Sequence, residues 1–295
     1  MKTRSEKEMF DLILGVAESD SRIRAVVLNG SRADQSARRD CFQDYDIVFF
    51  VNDIRSFTRD HSWIDVFGER MILQMPDDWH DHPYDYTGSE PFIYLMQFMD
   101  GNRIDLSLNA DGYIDDGEPA VALLDKDNML PEFGPPTGAC YFVKPPDEKE
   151  FSDCCNEFWW LGPYIAKGLW RGELAYTKFI LEYLRRSELV KMLGWYAGLK
   201  HGFQIGIGKR GGKLAQYLSH AEYEAFERTF LDYKKENIWE ALFAMNELFF
   251  LAAQTVSSRF GFSYPQQDDD RVTAYLNHVR RMPLSSKSIY PSGES

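Results

Sequence analysis

Two aspartates one residue apart, Asp44 and Asp46, open an apolar run, Ile47-Val48-Phe49-Phe50-Val51, and Gly30-Ser31 stands twelve residues upstream. Side chains alternate faces along a strand, so residues i and i+2 point the same way. A strand beginning here therefore carries two carboxylates side by side. Bare carboxylates repel, and a divalent cation is the simplest partner that makes such a pair favourable. Carboxylate pairs that hold Mg²⁺ on a substrate phosphate are the usual protein contribution to such sites. The upstream Gly-Ser supplies a tight turn with exposed backbone N–H groups for phosphate oxygens.

The rest of the chain supplies a frame for this pair. Met9, Phe10, Ile13, Leu14 and Ala17 recur at helical spacing, and Ser5 with Glu8 forms a capping-box pattern, so residues 5–18 read as a short amphipathic helix. Ile23–Leu28, Tyr45–Val51, Arg70–Met75, Phe92–Met99, Arg103–Asn109 and Ala120–Leu124 read as strands. Asp100-Gly101-Asn102 has the chemistry of a hairpin turn. Together these predict a mixed sheet with one or two helices, the α/β (α+β) class. Five prolines and two glycines between Pro131 and Pro146 then read as a connection. Beyond it the pattern is helical over 148–199, over 220–256, and near 271–282. The expected division is a sheet domain over 1–140 and a helical bundle domain over 141–295.

A third carboxylate, Asp105, lies in the strand Arg103–Asn109. Were that strand to lie beside the one holding Asp44 and Asp46, three carboxylates would gather at one end of the sheet. That is the equipment for in-line displacement at phosphorus, with Asp44 and Asp46 on the metal and Asp105 either completing a second metal site or taking the attacking hydroxyl's proton.

Composition narrows the partners. The net charge of −13 argues against a surface for long nucleic acid, which needs clustered Lys and Arg, and favours a cationic small molecule or a basic protein. The four cysteines, Cys41, Cys140, Cys154 and Cys155, include no C-x-x-C pair, and they read as free thiols. The N-terminus lacks an apolar secretory core, and no stretch reaches the ~20 apolar residues of a membrane helix. A cytoplasmic protein without a membrane partner is expected.

Gly30-Ser31, the Asp44-Tyr45-Asp46 triplet and the later apolar-Asp-apolar strand resemble the nucleotidyltransferase superfamily of DNA polymerase β. Leu28-Asn29-Gly30-Ser31-Arg32-Ala33, Phe42-Gln43-Asp44-Tyr45-Asp46 and Phe158-Trp159-Trp160 look like the aminoglycoside 6-adenylyltransferases, over roughly residues 5–280. The resemblance implies a polymerase β-like first domain, a helical second domain, and Mg²⁺-dependent transfer of AMP from ATP to a hydroxyl of an aminoglycoside, most of all streptomycin. It implies that Gly30, Ser31 and Arg32 meet the ATP phosphates, that Asp44 and Asp46 bind Mg²⁺, and that Asp105 is the third ligand or the base. A related family's Gly-Lys-x-x-x-Lys segment matches Gly208 to Lys213 here, so Lys213 would meet the triphosphate.

Asp153, Glu157 and Trp160 fall at i, i+4 and i+7 on one helix. Two carboxylates and an indole suit a guest bearing guanidinium groups, and Glu182 is a similar acidic candidate. Two patterns are set aside. Gly206-Ile207-Gly208-Lys209-Arg210-Gly211 matches a dinucleotide fingerprint but follows a helix rather than a strand. His80-Asp81-His82 sits in a polar loop rather than in a metal-ligand spacing. The alternatives are a nucleotidyltransferase that modifies a protein or a tRNA, and a non-catalytic nucleotide-binding protein.

Overall fold

The computed structural model describes residues 2–80, 90–110 and 117–290, and it divides into two compact units, Met1–Cys140 and Tyr141–Ser295.

The first unit begins with α1 (Glu6–Ser19). Its Ser5 side chain caps the Glu8 N–H while Glu8 reaches back to the Ser5 N–H, so two of the unsatisfied donors at the helix start are paired. A six-stranded mixed sheet follows: β1 (Ile23–Asn29), β2 (Tyr45–Val51), β3 (Arg70–Gln74), β4 (Phe92–Phe98), β5 (Arg103–Asn109) and β6 (Ala120–Asp125). One-turn helices α2 (Gly30–Ala33) and α3 (Arg55–Thr58) flank β2 in sequence. The strand order is β3-β4-β5-β2-β1-β6. Among the described residues only β2 and β5 run parallel; the other neighbours are antiparallel.

Alternation sorts the two faces. Tyr45, Ile47 and Phe49 of β2 join Ile104, Leu106 and Leu108 of β5, and Met9 and Ile13 of α1, in the main core of this unit. Asp46 and Asp105 are left on the opposite face. There, Phe50, Ala25, Val27 and Ala120 form a small second cluster, covered by Leu130 and Phe133 from the proline-rich segment. The chain start is tied to the β4–β5 turn by Arg4, whose Nε donates to Asp100 Oδ2 at 2.6 Å. That contact holds the Asp100 carboxyl far below the usual range. Gly101 takes φ +90° in this turn.

The second unit is helical. α4 (Glu148–Arg171) starts at a capping box of Asp147 and Glu150 and ends at left-handed Gly172. α5 (Leu174–Phe179) runs through a π-helical turn, Ile180–Arg185, into α6 (Arg186–His201). α7 (His220–Glu227), α8 (Lys235–Phe260) and α9 (Gln266–Arg281) complete the bundle. Phe158 of α4 stacks on Phe249 of α8 with ring centroids 3.7 Å apart at the centre of this core.

Two helix boundaries differ from the expectation. The apolar pattern over 220–256 belongs to two helices, because the chain turns at Thr229: Arg186 Nη2 donates to the Thr229 carbonyl at 2.8 Å, and the Thr229 hydroxyl donates to the Phe226 carbonyl. α9 begins five residues earlier than the apolar spacing indicates. Its first turn, Gln266 to Asp269, has no apolar residue, and Asp268 and Asp269 favour a helix start through the dipole instead. Cys41, Cys154 and Cys155 are free thiols, as expected. Among the described residues no helix is long and apolar enough to cross a membrane.

The bend between α4 and α5 depends on Gly168. A Cβ added there would lie 2.4 Å from Oγ1 of fully buried Thr177. Gly168→Ala is expected to lower the unfolding free energy by about 1–3 kcal/mol through overpacking, read from urea denaturation at neutral pH.

Candidate active site

The parallel ladder between β2 and β5 sets Asp46 directly across from Asp105, and Asn29 at the end of β1 pairs with Asp46 from the other side. Asp44 precedes β2 and shares the face. Sequence spacing alone leaves open which strand lies beside β2; the structure brings Asp44, Asp46 and Asp105 to one end of one sheet face.

The approach of the upstream turn is equally tight. Gly30 takes φ +70°, and a Cβ on it would lie 2.2 Å from Asp46 Oδ2. Only glycine fits that position, both for its backbone angles and for the space. The Gly30 N–H donates to the Pro119 carbonyl at 3.1 Å, which fixes the turn against the start of β6. Gln43 donates its side-chain amide to the Ser31 carbonyl, joining the turn to the segment before β2.

Arg32 is a brace. Its Nη2 donates to the Gln43 carbonyl at 2.6 Å and its Nε to the Asp44 carbonyl at 3.2 Å; its guanidinium lies over the Tyr45 ring at 3.9 Å, and Glu6 completes its surroundings. With its side chain only 9 % exposed, Arg32 holds the backbone that carries Asp44 and Asp46.

The residue that sequence reasoning missed is Arg103. Its Nε and Nη2 donate to the two oxygens of Asp105 at 2.7 and 2.8 Å, and Nε lies 3.8 Å from Asp44 Oδ2. It is the counter-charge of the cluster. The signal was present: Arg103-Ile104-Asp105 has the same i, i+2 spacing as the aspartate pair, which puts the guanidinium beside the carboxylate on one face.

The electrostatics follow from this packing. Burial pushes Asp46 up to about 6, and the neighbouring carboxylates of Asp105, Asp44 and Glu118 push the same way. Asp44 is also raised, by burial first, with Arg103 pulling against it and Asp105 adding to it. A face where two carboxylates resist ionisation while a guanidinium sits on the third is short of positive charge. The donors are hard carboxylate oxygens of the kind Mg²⁺ takes. Among the described residues no three His, Cys, Asp or Glu form a metal cage. Mg²⁺ does not require one, since it keeps several waters and takes one or two carboxylates together with substrate phosphates. The residues fit the ion on those terms.

The other expected residues lie in the second unit. Lys213 is exposed, on the loop after α6, with its N–H donating to the Ile207 carbonyl at 2.8 Å. The element immediately before Gly206 is α6 rather than a strand, so the glycine-rich segment is a connection between helices. Asp153, Glu157 and Trp160 stand exposed in a row along α4; Asp153 pairs with Lys149, and Trp160, 61 % exposed, meets Tyr164 edge to face. Glu182 is enclosed by Lys178 and Arg186 at 2.8 and 2.6 Å, which lowers its pKa against the opposing effect of burial. Of the histidine pair, His80 is exposed, while Asp81 and His82 lie outside the described residues.

A family profile described as streptomycin adenylyltransferase matches residues 3–279. An aminoglycoside 6-adenylyltransferase of Bacillus subtilis (strain 168) is 36 % identical over 281 residues, covering 94 % of this chain and 98 % of that protein. One from Campylobacter jejuni is 38 % identical over 277 residues, covering 92 % and 95 %. The crystal structure of an aminoglycoside 6-adenyltransferase from Bacillus subtilis aligns with a TM-score of 0.48 at 32 % identity, over 95 % of this chain and 100 % of that one.

Two outcomes are expected from this geometry. Gly30→Ala should displace the Asp46 carboxylate and weaken Mn²⁺ binding at least tenfold, measured by electron paramagnetic resonance. Asp46→Asn tests the charge. Because the folded Asp46 pKa lies above its ordinary value of 3.8, the folded state holds the proton more tightly. The contribution of Asp46 to stability is therefore full below about pH 4 and is lost as pH rises through 6. In EDTA, Asp46→Asn should melt above wild type at pH 7.5, and the two curves should converge near pH 4.

Proposed function

The chain belongs to the streptomycin adenylyltransferase family, and we propose that it transfers AMP from ATP to a hydroxyl of an aminoglycoside, with streptomycin as the acceptor, releasing pyrophosphate. The observation that carries this reading is the parallel register that puts Asp46 across from Asp105, with Asp44 and the Gly30 turn at the same corner.

Asp44 and Asp46 would hold Mg²⁺. Bound there, the ion supplies charge neutralisation on the phosphate oxygens. The remaining work belongs to the chain. The acceptor oxygen attacks the α-phosphorus, the bond from that phosphorus to the bridging oxygen breaks, and pyrophosphate leaves with the electron pair. The hydroxyl proton goes to a carboxylate, which we assign to Asp105 where it is not itself a ligand of the metal. Ser31 receives phosphate oxygens on its backbone N–H and its hydroxyl, while Gly30, whose own N–H is held by Pro119, lets the turn come close. Arg32, by holding the carbonyls of Gln43 and Asp44, keeps the carboxylates in register with that turn. Lys213 is assigned to the charge that gathers on the leaving pyrophosphate. Fixed carboxylates and cations of this kind act mainly by positioning and by matching charge as it develops.

The acceptor reading draws on the acidity of the chain, −13 overall, which favours a polycation. Asp153, Glu157 and Trp160 offer two carboxylates and a ring for guanidinium groups. Glu182 already has two cationic partners, so it is the weaker candidate of the four.

The test is pyrophosphate release from Mg·ATP with streptomycin, beside spectinomycin, kanamycin and no acceptor. Release with streptomycin is expected, and Asp46→Asn should reduce turnover by about 10²-fold or more with the fold retained by circular dichroism. Absence of release with every aminoglycoside, together with labelling of protein or tRNA by radioactive ATP, would overturn the reading.

A further inference from the structure

The helical unit contains a groove between α8 and α9, about 540 Å³ in volume, to which no role has been given above. Its lining includes Asn246, Asp269, Glu247, Glu240, Phe243 and Phe250. Asn246 is 6 % exposed, and neither its Oδ1 nor its Nδ2 has a hydrogen-bond partner. Buried amides are almost always paired, since an unpaired one loses its hydration and gains nothing in return. Asn246 therefore lies in the wall of the groove with one acceptor and one donor unused.

The charge around Asn246 says what fits there. Glu240, Glu247 and Asp269 line the groove together with one guanidinium, Arg280, which is held by Glu236 and Glu240, while Asp269 feels the charge of Arg185. Asp269 accepts from the Tyr264 hydroxyl at 2.8 Å and the Thr273 hydroxyl at 3.1 Å, so it is held in a fixed orientation. Among the described residues Glu247 has no ion pair, and it is exposed. Beyond Asp269 lies Arg185, fully buried over the Phe158 ring at 4.0 Å with no hydrogen bond from its three side-chain nitrogens. The groove thus has spare negative charge at its mouth and an unpaired amide in its wall. Two partly exposed rings, Phe243 and Phe250, flank it. Saturated rings that carry both cations and hydroxyls match all three features: cations pair with Glu247 and Asp269, hydroxyls bind the Asn246 amide, and guanidinium groups stack on phenyl faces.

We propose that the α8–α9 groove is a binding subsite for a cationic, hydroxyl-bearing ring of the acceptor, with Asn246 reading its hydroxyls and Glu247 and Asp269 its charge. The proposal rests on the reading of the acceptor as an aminoglycoside. It differs from the α4 row of Asp153, Glu157 and Trp160, which offers charge on an open helix face without enclosure.

The test is calorimetric titration of the full chain, without nucleotide, by streptomycin and by streptidine, a bis-guanidino ring. Wild type is compared with Asn246→Leu and Glu247→Gln. Asn246→Leu removes no hydrogen bond, so its melting temperature should equal or exceed that of wild type. Each variant should lose at least tenfold in affinity for both probes while ATP affinity is unchanged. Wild-type affinity in both variants, or no binding of either probe to wild type at millimolar concentration, would overturn the subsite. Pyrophosphate release keeps the two readings apart. Unaltered variants with normal transfer to streptomycin would remove the groove and leave the reaction. Binding lost in the variants, without transfer by wild type, would keep the groove and remove the reaction.

Discussion

Three carboxylates on one sheet face repel one another, and the first unit is organised around containing that repulsion. Asp46 and Asp105 are set opposite each other by the parallel pair of β2 and β5, with Asp44 close enough to feel both. Arg103 supplies the opposing charge through two hydrogen bonds to Asp105. A charge-assisted pair with this fork geometry is among the stronger polar contacts a protein makes. It reaches one carboxylate fully and another at 3.8 Å, which leaves Asp46 the most burdened of the three. A cation at Asp46 relieves what Arg103 does not.

The neighbouring residues make sense as supports of that arrangement. The opposite face of β2 and β5 is buried in a core of aromatic and aliphatic side chains, so the strands cannot slip without exposing it. A one-residue slip would exchange Asp46 for Ile47 on the site face. Gly30 lets the turn approach Asp46 where any side chain would collide with it. Arg32 binds the carbonyls of the two residues before Tyr45 and packs on the Tyr45 ring, tying the carboxylates to that same turn.

Most of this was legible in the sequence because it depends on period and on turn chemistry. The i, i+2 spacing of Asp44 and Asp46 predicts their shared face, and each of the six strands falls within about a residue of its apolar run. The Ser5–Glu8 box predicts the first helix start. What was hidden depends on who is adjacent to whom. The strand order, with β5 inserted between β4 and β2, is a long-range choice that no local pattern encodes. Arg103 carries no local mark beyond its i, i+2 spacing to Asp105, because its pairing with Asp105 and Asp44 matters only once its strand lies beside β2. The hydrogen bonds of Arg32 to the Gln43 and Asp44 carbonyls were hidden in the same way, since they depend on how the turn packs. The break at Thr229 and the early start of α9 were missed for a related reason: a buried hydroxyl and a polar first turn carry no hydrophobic period.

The helical unit shows the complementary case, in which what stands out in the sequence and what the packing encloses are different residues. The α4 row was visible because acidic and aromatic residues at helical spacing stand out in a sequence. In the structure those side chains are solvated. Asn246, by contrast, is a polar residue on the buried face of α8, among Leu242, Met245 and Phe249. In sequence it reads as an interruption of the hydrophobic face. Only the packing of α9 against the bundle turns it into a buried amide without a partner, with Asp269 in the same groove wall. A core residue chosen for stability alone would be apolar there, since an unpaired buried amide is a cost that leucine does not carry. The departure from good packing, rather than any motif, is what distinguishes a binding wall from a helix interface.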